Sequence, residues 1–541
     1  MEKRFVYADN AATTPLSEIA FNAMKPWLTE HYGNPSSLYR MGREAKEAIN
    51  EARRVVAKCL NVAMPVNERN DYAPGEILFT GGGSQADNLA IRGFMHGPSS
   101  KGRKHIITSK IEHHAVLYTC EALEKEGYRV TYLNVDKEGH VDLDQLKNEL
   151  SEDTALVSIM AANNEIGTIQ PLKQISELAH SVGAKFHTDA VQAVGHMHID
   201  VQEMGIDMLS LAGHKFRGPR GTGVLYVKNG IQLEPLVYGG GQERGLVSGT
   251  ENTAGFIGLA AAMQDACEHL DEKMGYVKKL TDKLVKGIME NIPYSHYTGD
   301  PVNRLPGTAS FVFEAIEGEG LILRLDNAGV CGSTGSACST GSLDPSHVLM
   351  AIGLPHEIAH GSLRLTLSEE NTMEEMDITA DKIKEIVAYL RELSPLYEDY
   401  MRKHSRDQIL ERNFSLISVL SNTHRHDDGL RHFASCSNEK RKHAADDGNQ
   451  CRNVAQQFVT HEFAGQSQAA GRRNRRKRRR SIEFSTCRQR HENRKDHRTG
   501  VYRVGRKKQS QHALAGTGKN KGRRRNDKNQ PARNFHARRL Q

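Results

Sequence analysis

The sequence has no long apolar run, no apolar leader segment and no closely spaced pair of cysteines. No stretch reaches the roughly 18 consecutive apolar residues that a membrane helix needs. The N-terminus is charged and leads directly into a strand-like segment, so we predict a cytoplasmic protein without a signal region. The 8 cysteines form no C-x-x-C motif. This argues against a zinc ribbon or a thioredoxin-type site. Without an export signal, we expect reduced thiols.

Apolar residues are unevenly distributed along the 541 residues. Up to about residue 396, apolar runs alternate with turn residues and mixed-charge helical patterns, over a length that can bury a large core. From about residue 401, Lys/Arg clusters such as R-R-N-R-R-K-R-R-R at 472–480 take over. This tail, 401–541, could bind nucleic acid through phosphates, but few aromatics lie among the arginines and no binding motif accompanies them. We favour a disordered cationic tail, or read-through sequence without a selected function.

Strand-like and helical patterns alternate in the first part of the chain. Strands are predicted at 76–79, 105–108, 155–159, 184–187, 208–211 and 223–227, with helices such as 115–126 and 172–181 between them. This rhythm predicts an α/β fold with a mostly parallel central sheet and helices on both faces.

A second, smaller α/β pattern follows. It consists of a helical region at 254–292, strands at 309–313 and 362–367, and helices at 319–327 and 373–393. We therefore predict a large domain at 15–258 and a small domain made of 1–14 and 259–396. The small domain would carry a mobile loop at 331–343, because that segment is rich in Gly and Ser and cannot pack a core.

Candidate site residues follow the predicted strands, because ligands of parallel sheets bind beyond the carboxyl ends of the strands. Lys215 follows one strand in a turn of small residues, and Asp189 closes another. A glycine run at 81–83 joins a strand to a helix, where backbone amides and the helix dipole suit a phosphate. Each feature alone has an ordinary alternative: a solvated lysine, a helix-capping aspartate and a tight turn.

Histidine, cysteine and arginine side chains add possible chemistry. His113 and His114 follow a strand and could move protons near neutral pH, whereas no second ligand cluster with metal spacing accompanies them. Cys338 lies in the Gly/Ser-rich loop, where a mobile thiol suits a nucleophile once a neighbour lowers its pKa from about 8.5. Arg364 suits bidentate binding of a carboxylate. A linker cysteine and a surface arginine are the alternatives.

Together these motifs resemble those of the cysteine desulfurases, a family of fold-type I enzymes that use pyridoxal 5'-phosphate (PLP). The resemblance covers about residues 5–393. It is carried by S-L-A-G-H-K at 210–215, H-T-D-A-V-Q at 187–192 and G-S-A-C-S-T-G-S-L-D-P-S-H-V-L at 335–349. The last string is similar to the cysteine loop of the family's long-loop group. The resemblance implies the fold of the fold-type I PLP-dependent transferases and a homodimer.

The resemblance also implies a role for individual residues. Lys215 would bond the cofactor, Asp189 would keep its ring nitrogen protonated, and Cys338 would accept the substrate's sulfur. His113 would stack on the ring and exchange protons with Lys215, and Arg364 would bind the substrate carboxylate. The other implied cofactor contacts are Ser84, Gln85, Asn164 (also near the substrate carboxylate), Gln192, Ala212, His214 and Thr250, which would reach the phosphate of the partner subunit.

Three positions depart from the family pattern. Ser84 and Gln85 stand where the family usually has Thr and Glu, so the hydroxyl and the side-chain length are kept but one charge is lost. Ala212 stands where the family usually has a serine that contacts the phosphate. Because Ala212 offers only its main chain there, we expect weaker binding of the cofactor.

The implied reaction removes sulfur from L-cysteine, giving L-alanine and a persulfide on Cys338. An acceptor protein, either an iron–sulfur scaffold or a tRNA-thiolation enzyme, would collect the sulfur, and Cys338 would at most be a transient, shared cluster ligand. Two alternatives remain: a selenocysteine lyase on the same scaffold, and a degenerate PLP fold whose basic tail binds RNA. The intact Lys215, Asp189 and Cys338 argue against the second.

Overall fold

The computed structural model of the protein describes residues 5–63, 76–335, 345–395 and 397. Cys338 and the predicted tail at 401–541 lie outside the described residues. Within these ranges, no helix is long and apolar enough to cross a membrane. The strands are β1 (Val6–Tyr7), β2 (Ile77–Thr80), β3 (His105–Ser109), β4 (Arg129–Leu133), β5 (Thr154–Ser158), β6 (Lys185–Asp189), β7 (Met208–Ala212), β8 (Gly223–Val227), β9 (Ser295–Tyr297), β10 (Thr308–Phe313), β11 (Val330–Cys331) and β12 (Ser362–Thr366).

The α-helices complete the described secondary structure, apart from short 3-10 and π-helical turns. They are α1 (Glu18–Thr29), α2 (Arg40–Cys59), α3 (Gly83–Asn88), α4 (Phe94–His96), α5 (His114–Lys125), α6 (Leu143–Glu149), α7 (Leu172–Ser181), α8 (Thr253–Glu268), α9 (Leu270–Asn291), α10 (Gly318–Asn327), α11 (His347–Ala351), α12 (His356–Ala359) and α13 (Met373–Glu392).

A seven-stranded sheet forms the centre of the fold, in the order β2-β8-β7-β6-β5-β3-β4. Only β8 is antiparallel to its neighbours, so the other six strands run in one direction. The inner strands are buried along their whole length, as expected of apolar strands covered on both faces. The predicted α/β fold with a mostly parallel sheet is confirmed. The edge strand β4, whose side chains are mostly half-exposed, was not predicted.

Alternate residues of the strands fill two separate cores. Ile106 and Leu156 pack with apolar residues of α5 on one face of the sheet. Ile107 and Val157, the next residues along the same strands, pack with α2, α7 and α8 on the other face. This alternation follows from the two-residue repeat of a strand. It confirms the prediction of helices on both faces.

A three-stranded antiparallel sheet, β12-β10-β9, forms a second layer with the long helices α9 and α13. The N-terminal strand β1 pairs with β11 next to this sheet, with Val6 opposite Val330. The helices and strands predicted after residue 254 are present. The domain boundaries at residues 14, 258 and 396 stay predictions.

Phe79 links the sheet to α8, in the core that also contains Ile107 and Val157. Its substitution can therefore test the packing of this core. Its ring is fully buried and stacks on Phe256 with centroids 4.3 Å apart and planes inclined by 6°. We expect Phe79→Ala to lower the free energy of unfolding by about 3–5 kcal/mol, measured by urea denaturation. Phe5→Ala is the matched control, because Phe5 is 65% exposed and its truncation should cost less than about 0.5 kcal/mol. Equal losses in the two variants would contradict the assigned packing.

Candidate active site

A cavity of about 410 Å³ lies at the carboxyl ends of the parallel strands. A second, more open pocket shares Gly83, Ser84 and His214 with it and also includes Gln85. Thr250 is exposed and lines neither of the two. The predicted site residues that line the main cavity are Ser84, His113, Asn164, Asp189, Gln192, Ala212, His214, Lys215 and Arg364.

Lys215 ends a short 3-10 turn that directly follows β7. Its Nζ donates hydrogen bonds to the carbonyl oxygens of Ala11 and Ala12, the latter at 3.0 Å. The Ala11 carbonyl also accepts a hydrogen bond from Gln192 Nε2 at 2.9 Å. The N-terminal segment therefore holds the lysine amine at the cavity, in a place that sequence spacing could not predict.

Asp189 is the last residue of β6 and is almost completely buried. Its Oδ1 accepts the Val191 N–H at 2.9 Å. Burial raises the pKa of Asp189, while His113, the Val191 N–H and Lys215 act in the opposite direction. A buried carboxyl in this position favours a cationic partner, because the partner's charge would offset the loss of solvent.

Asp87 is a second buried acid beside Asp189, and no sequence pattern predicted it. Asp87, Asp189 and His113 each place a polar atom within 4.8 Å of the other two. Asp87 Oδ1 has no hydrogen-bond partner among the described residues. Burial, and then the charge of Asp189, raise the pKa of Asp87 well above its usual value. Two adjacent buried carboxyls do not both ionise, so we assign the neutral form to Asp87.

His113 caps the N-terminus of α5, with Nδ1 accepting the Ala115 N–H at 3.1 Å. This bond fixes the orientation of the ring, and in the neutral ring it leaves the hydrogen on Nε2. His114 also lines the cavity, and its ring centroid lies 4.9 Å from that of His347. The family resemblance assigned a role to His113 but none to His114, and His347 was not among the predicted site residues.

The glycine run enters α3 at the open pocket. Gly82 has φ +149°, and a Cβ on Gly83 would lie 2.6 Å from Val191 Cγ2, so neither position readily accepts a side chain. Gln85 Oε1 accepts the Gly81 N–H at 2.6 Å, which closes the loop on itself. The run therefore forms a backbone cradle at the start of a helix, suited to an anion.

His214 and Arg220 complete this pocket. Burial, with the charges of Lys215 and Arg220, lowers the pKa of His214 to about 4, so its ring is neutral at pH 7. Its Nδ1 lies 3.1 Å from Thr13 Oγ1. Arg220 therefore supplies positive charge to the pocket. It was not among the site residues predicted from the sequence.

Arg364 extends from the middle of β12 into the cavity, and its guanidinium contacts the protein on two sides. Its Nη2 lies 3.0 Å from Asp9 Oδ1, and its Nη1 donates to the Asn164 carbonyl at 2.9 Å. The neighbouring Asn163 has a different function, because its Oδ1 accepts the N–H groups of Glu165 and Ile166. Asn163 thus shapes the loop, and Asn164 lines the cavity.

The residues on both sides of segment 336–344, which includes Cys338, contact this site. On one side, Ser333 pairs with Arg364 through two backbone hydrogen bonds. On the other side, the Ser346 hydroxyl donates to the buried Glu165 carboxyl, and the next residue, His347, lines the cavity. The residues that precede and follow segment 336–344 therefore lie beside the cavity.

Comparison with known proteins agrees with this geometry. The family model "Aminotransferase class-V" matches residues 6–378. A cysteine desulfurase IscS of Clostridium botulinum is 51% identical over 399 residues, which cover 73% of this chain and 98% of that protein. The chain belongs to the cysteine desulfurases. This confirms the family that the sequence motifs indicated.

Solved structures share the fold of this chain. A NifS-like protein is 38% identical with a TM-score of 0.66, covering 72% of this chain and all of that one. A structure described as SspA in complex with cysteine is 36% identical with a TM-score of 0.59, covering 68% of this chain and all of that one. The fold-type I class is confirmed. The roles of the individual site residues stay predictions.

The neutral state of Asp87 gives a pH-dependent prediction. Because its pKa is raised, the folded protein keeps a proton that the unfolded chain loses above about pH 3.9, so this carboxyl makes the protein less stable as pH rises. Asp87→Asn removes that effect. In urea unfolding of the cofactor-free protein, its gain in stability should be larger at pH 8 than at pH 5.

The control for this prediction is Asp381→Asn, which changes an exposed aspartate on α13. Its effect on the free energy of unfolding should be small and the same at the two pH values. An Asp87→Asn variant that loses stability as pH rises, relative to the parent, would show that Asp87 is ionised.

Proposed function

We propose that the protein is a cysteine desulfurase, which converts L-cysteine to L-alanine and transfers the sulfur to Cys338 as a persulfide. One observation carries the proposal. Lys215, Asp189, His113 and Arg364, which come from four separate parts of the chain, line one cavity, and both flanks of the segment that includes Cys338 contact it. The membership of the family supports the same reaction.

We further propose PLP as the cofactor, because the polar groups of the site fit it. Asp189 would pair with the ring nitrogen, and the glycine cradle with Ser84 and Arg220 would hold the phosphate. Lys215 Nζ would bond the aldehyde once it gives up its contacts to the Ala11 and Ala12 carbonyls. Bound PLP would supply an electron sink for the carbon that bears the substrate's amino group.

The protein's own side chains would bind the substrate and move its protons. The Arg364 guanidinium, held in place by Asp9, would bind the carboxylate, with Asn164 beside it. Lys215 would take the proton from the α-carbon and return it to the product, and the fixed ring of His113 would assist. A cavity of about 410 Å³ is of the size that holds a cofactor and a small amino acid.

Covalent geometry supports Cys338 as the nucleophile. It lies three residues after Gly335, and three residues span at most about 11 Å. A Cβ on Gly335 would lie 2.5 Å from a carboxyl oxygen of the cavity residue Glu165. A thiol tethered so closely can reach a substrate bound in the cavity.

We also propose a homodimer, with Thr250 reaching the phosphate of the partner subunit. In support, Thr250 is exposed and lines neither pocket of its own chain, and large apolar side chains such as Leu38 and Tyr238 are strongly exposed.

The sulfur acceptor would be an iron–sulfur scaffold or a tRNA-thiolation protein, and the reaction would take place in the cytoplasm.

The covalent roles of two residues can be separated by substitution. Borohydride should fix the cofactor to the parent protein at position 215 and fix none to Lys215→Ala, as read by peptide mass spectrometry.

Cys338→Ala should keep the cofactor but lose alanine formation from L-cysteine by about 10³-fold or more, because no other thiol replaces the nucleophile. Cys331→Ala is the control and should keep its activity. Full activity of Cys338→Ala would refute the proposed reaction.

The tail can be tested by a chain that ends at Leu396. The family model ends at residue 378 and the last described helix at Glu392, so we expect the shortened chain to fold, bind PLP and release alanine at the parent rate. Sedimentation should give the same dimer. A monomeric or inactive product would show that residues after 396 are needed for the enzyme.

A further inference from the structure

Two cysteines lie together in a groove that the proposed reaction does not use. Cys59 is the last residue of α2, and Cys267 is the last but one residue of α8. Both line a groove of about 730 Å³, which shares no lining residue with the active-site cavity. The two cysteines are more than 200 residues apart in the chain, so the fold brings their thiols to one place.

The pairing of the thiols follows from the way α2 packs on α8. Val56 of α2 and Met263 of α8 are fully buried in the same core. Cys59 lies three residues after Val56, and Cys267 lies four residues after Met263, so each cysteine continues the buried face of its helix by one turn. The two helices therefore carry the thiols to the edge of that core, where both are half-buried.

The two thiols hydrogen bond to each other. This bond is the main cause that lowers the pKa of Cys267, against burial and the charge of Glu268. The same bond, and then burial, raise the pKa of Cys59 far above its ordinary value, although Lys58 acts in the opposite direction. Two adjacent thiols do not both ionise. The Cys59 thiol is therefore the donor, and the Cys267 sulfur is the one that ionises.

A metal site and an inert pair are the other interpretations of two adjacent thiols. Among the residues that the structure describes, no third Cys, His, Asp or Glu joins the pair closely enough to form a metal site. An inert cysteine is fully buried, as Cys120 is, and burial raises the pKa of that thiol to about 12. Cys59 and Cys267 differ from Cys120, because both reach the groove and one activates the other. A low-pKa thiol beside a second thiol is the arrangement of a redox-active dithiol.

We propose that Cys59 and Cys267 form a second reactive site, a dithiol that hydrogen peroxide oxidises reversibly to a disulfide. The Cys267 thiolate attacks a peroxide oxygen, the O–O bond breaks, hydroxide leaves, and the sulfur becomes a sulfenic acid. The Cys59 thiol then attacks this sulfur, an S–S bond forms, and its proton leaves with the hydroxyl group as water. The two sulfurs together give up two electrons, and the peroxide takes them up.

The disulfide joins the end of α2 to the end of α8. The two sulfurs are already in contact, so the bond forms without any new part of the chain being brought to the site. Cys267 lies two residues before His269, where α8 ends and α9 begins, so the link is next to the junction of these helices. The site takes no part in the proposed desulfurase reaction, and the inference does not depend on that reaction.

Peptide mass spectrometry of the full-length, cofactor-loaded protein tests the proposal. The protein is treated with hydrogen peroxide in the absence of L-cysteine, which is itself a reductant, and the remaining free thiols are alkylated. We expect a pair of peptides joined between positions 59 and 267, which dithiothreitol separates. Cys120 is the internal control and should stay reduced, because it is fully buried. Protein in which Cys59 and Cys267 both stay alkylatable, or in which either is joined to a different cysteine, would overturn the inference.

Two substitutions of Cys59 separate its roles as donor and as second thiol. Cys59→Ser keeps a hydroxyl donor but cannot form the disulfide, so peroxide should leave a sulfenic acid on Cys267 that dimedone traps. Cys59→Ala removes the donor as well. Alkylation of Cys267 by iodoacetamide at pH 7 should therefore be about 10-fold slower in Cys59→Ala than in Cys59→Ser.

The alkylation rate of Cys331, which does not line the groove, is the matched control and should be the same in the two variants. Melting temperatures close to that of the parent show that both variants are folded. Equal rates at Cys267 in the two variants would contradict its activation by Cys59. A Cys59→Ser protein that yields no trapped sulfenic acid would contradict the first step of the oxidation.

Discussion

The site depends on the N-terminal segment, which ties the two sheets to each other at the cavity. Asn10 Nδ2 donates to the Thr366 carbonyl and the Ala11 N–H to the Thr366 hydroxyl, both at 2.8 Å, so the segment is fixed to the end of β12. The Ala11 carbonyl then accepts hydrogen bonds from Lys215 and Gln192, beyond the ends of β7 and β6. A few residues therefore set the distance between Arg364 of one sheet and Lys215 beyond the end of the other.

Burial raises the pKa values of the acids around the cavity. Burial raises the pKa of Glu112 to about 8, even though Ser109 Oγ donates to it at 2.6 Å and the Met160 N–H also donates. Burial likewise raises the pKa of Asp87 and of Asp189. Of these three acids, Asp189 is the one whose pKa is lowered by both His113 and Lys215. A cationic ring nitrogen therefore has one natural counter-ion in the site.

The features that could be predicted from the sequence are those that depend on a local pattern of residues. Mostly apolar strands such as β5 and β7 predicted the sheet, and Asp189 and Lys215 stood out because each lies at or just beyond the carboxyl end of a strand. Asp87 was missed because a charged residue in the first turns of a helix is usually exposed, and only the packing of α3 on the sheet buries this one. His347 was missed because its contact with His114 joins distant parts of the chain, which no spacing reveals.

In the proposed function, the carboxyl and amino ends of the substrate would meet different parts of the fold. Arg364 on β12 would bind the carboxylate, and Lys215 beyond β7 would address the amino group. His114 and His347, at the starts of α5 and α11, also line the cavity, and His347 follows the segment that includes Cys338 by only three residues. Because groups that bind the amino and carboxyl ends would serve any amino acid, selection for a sulfur-bearing side chain must come from other groups around the cavity.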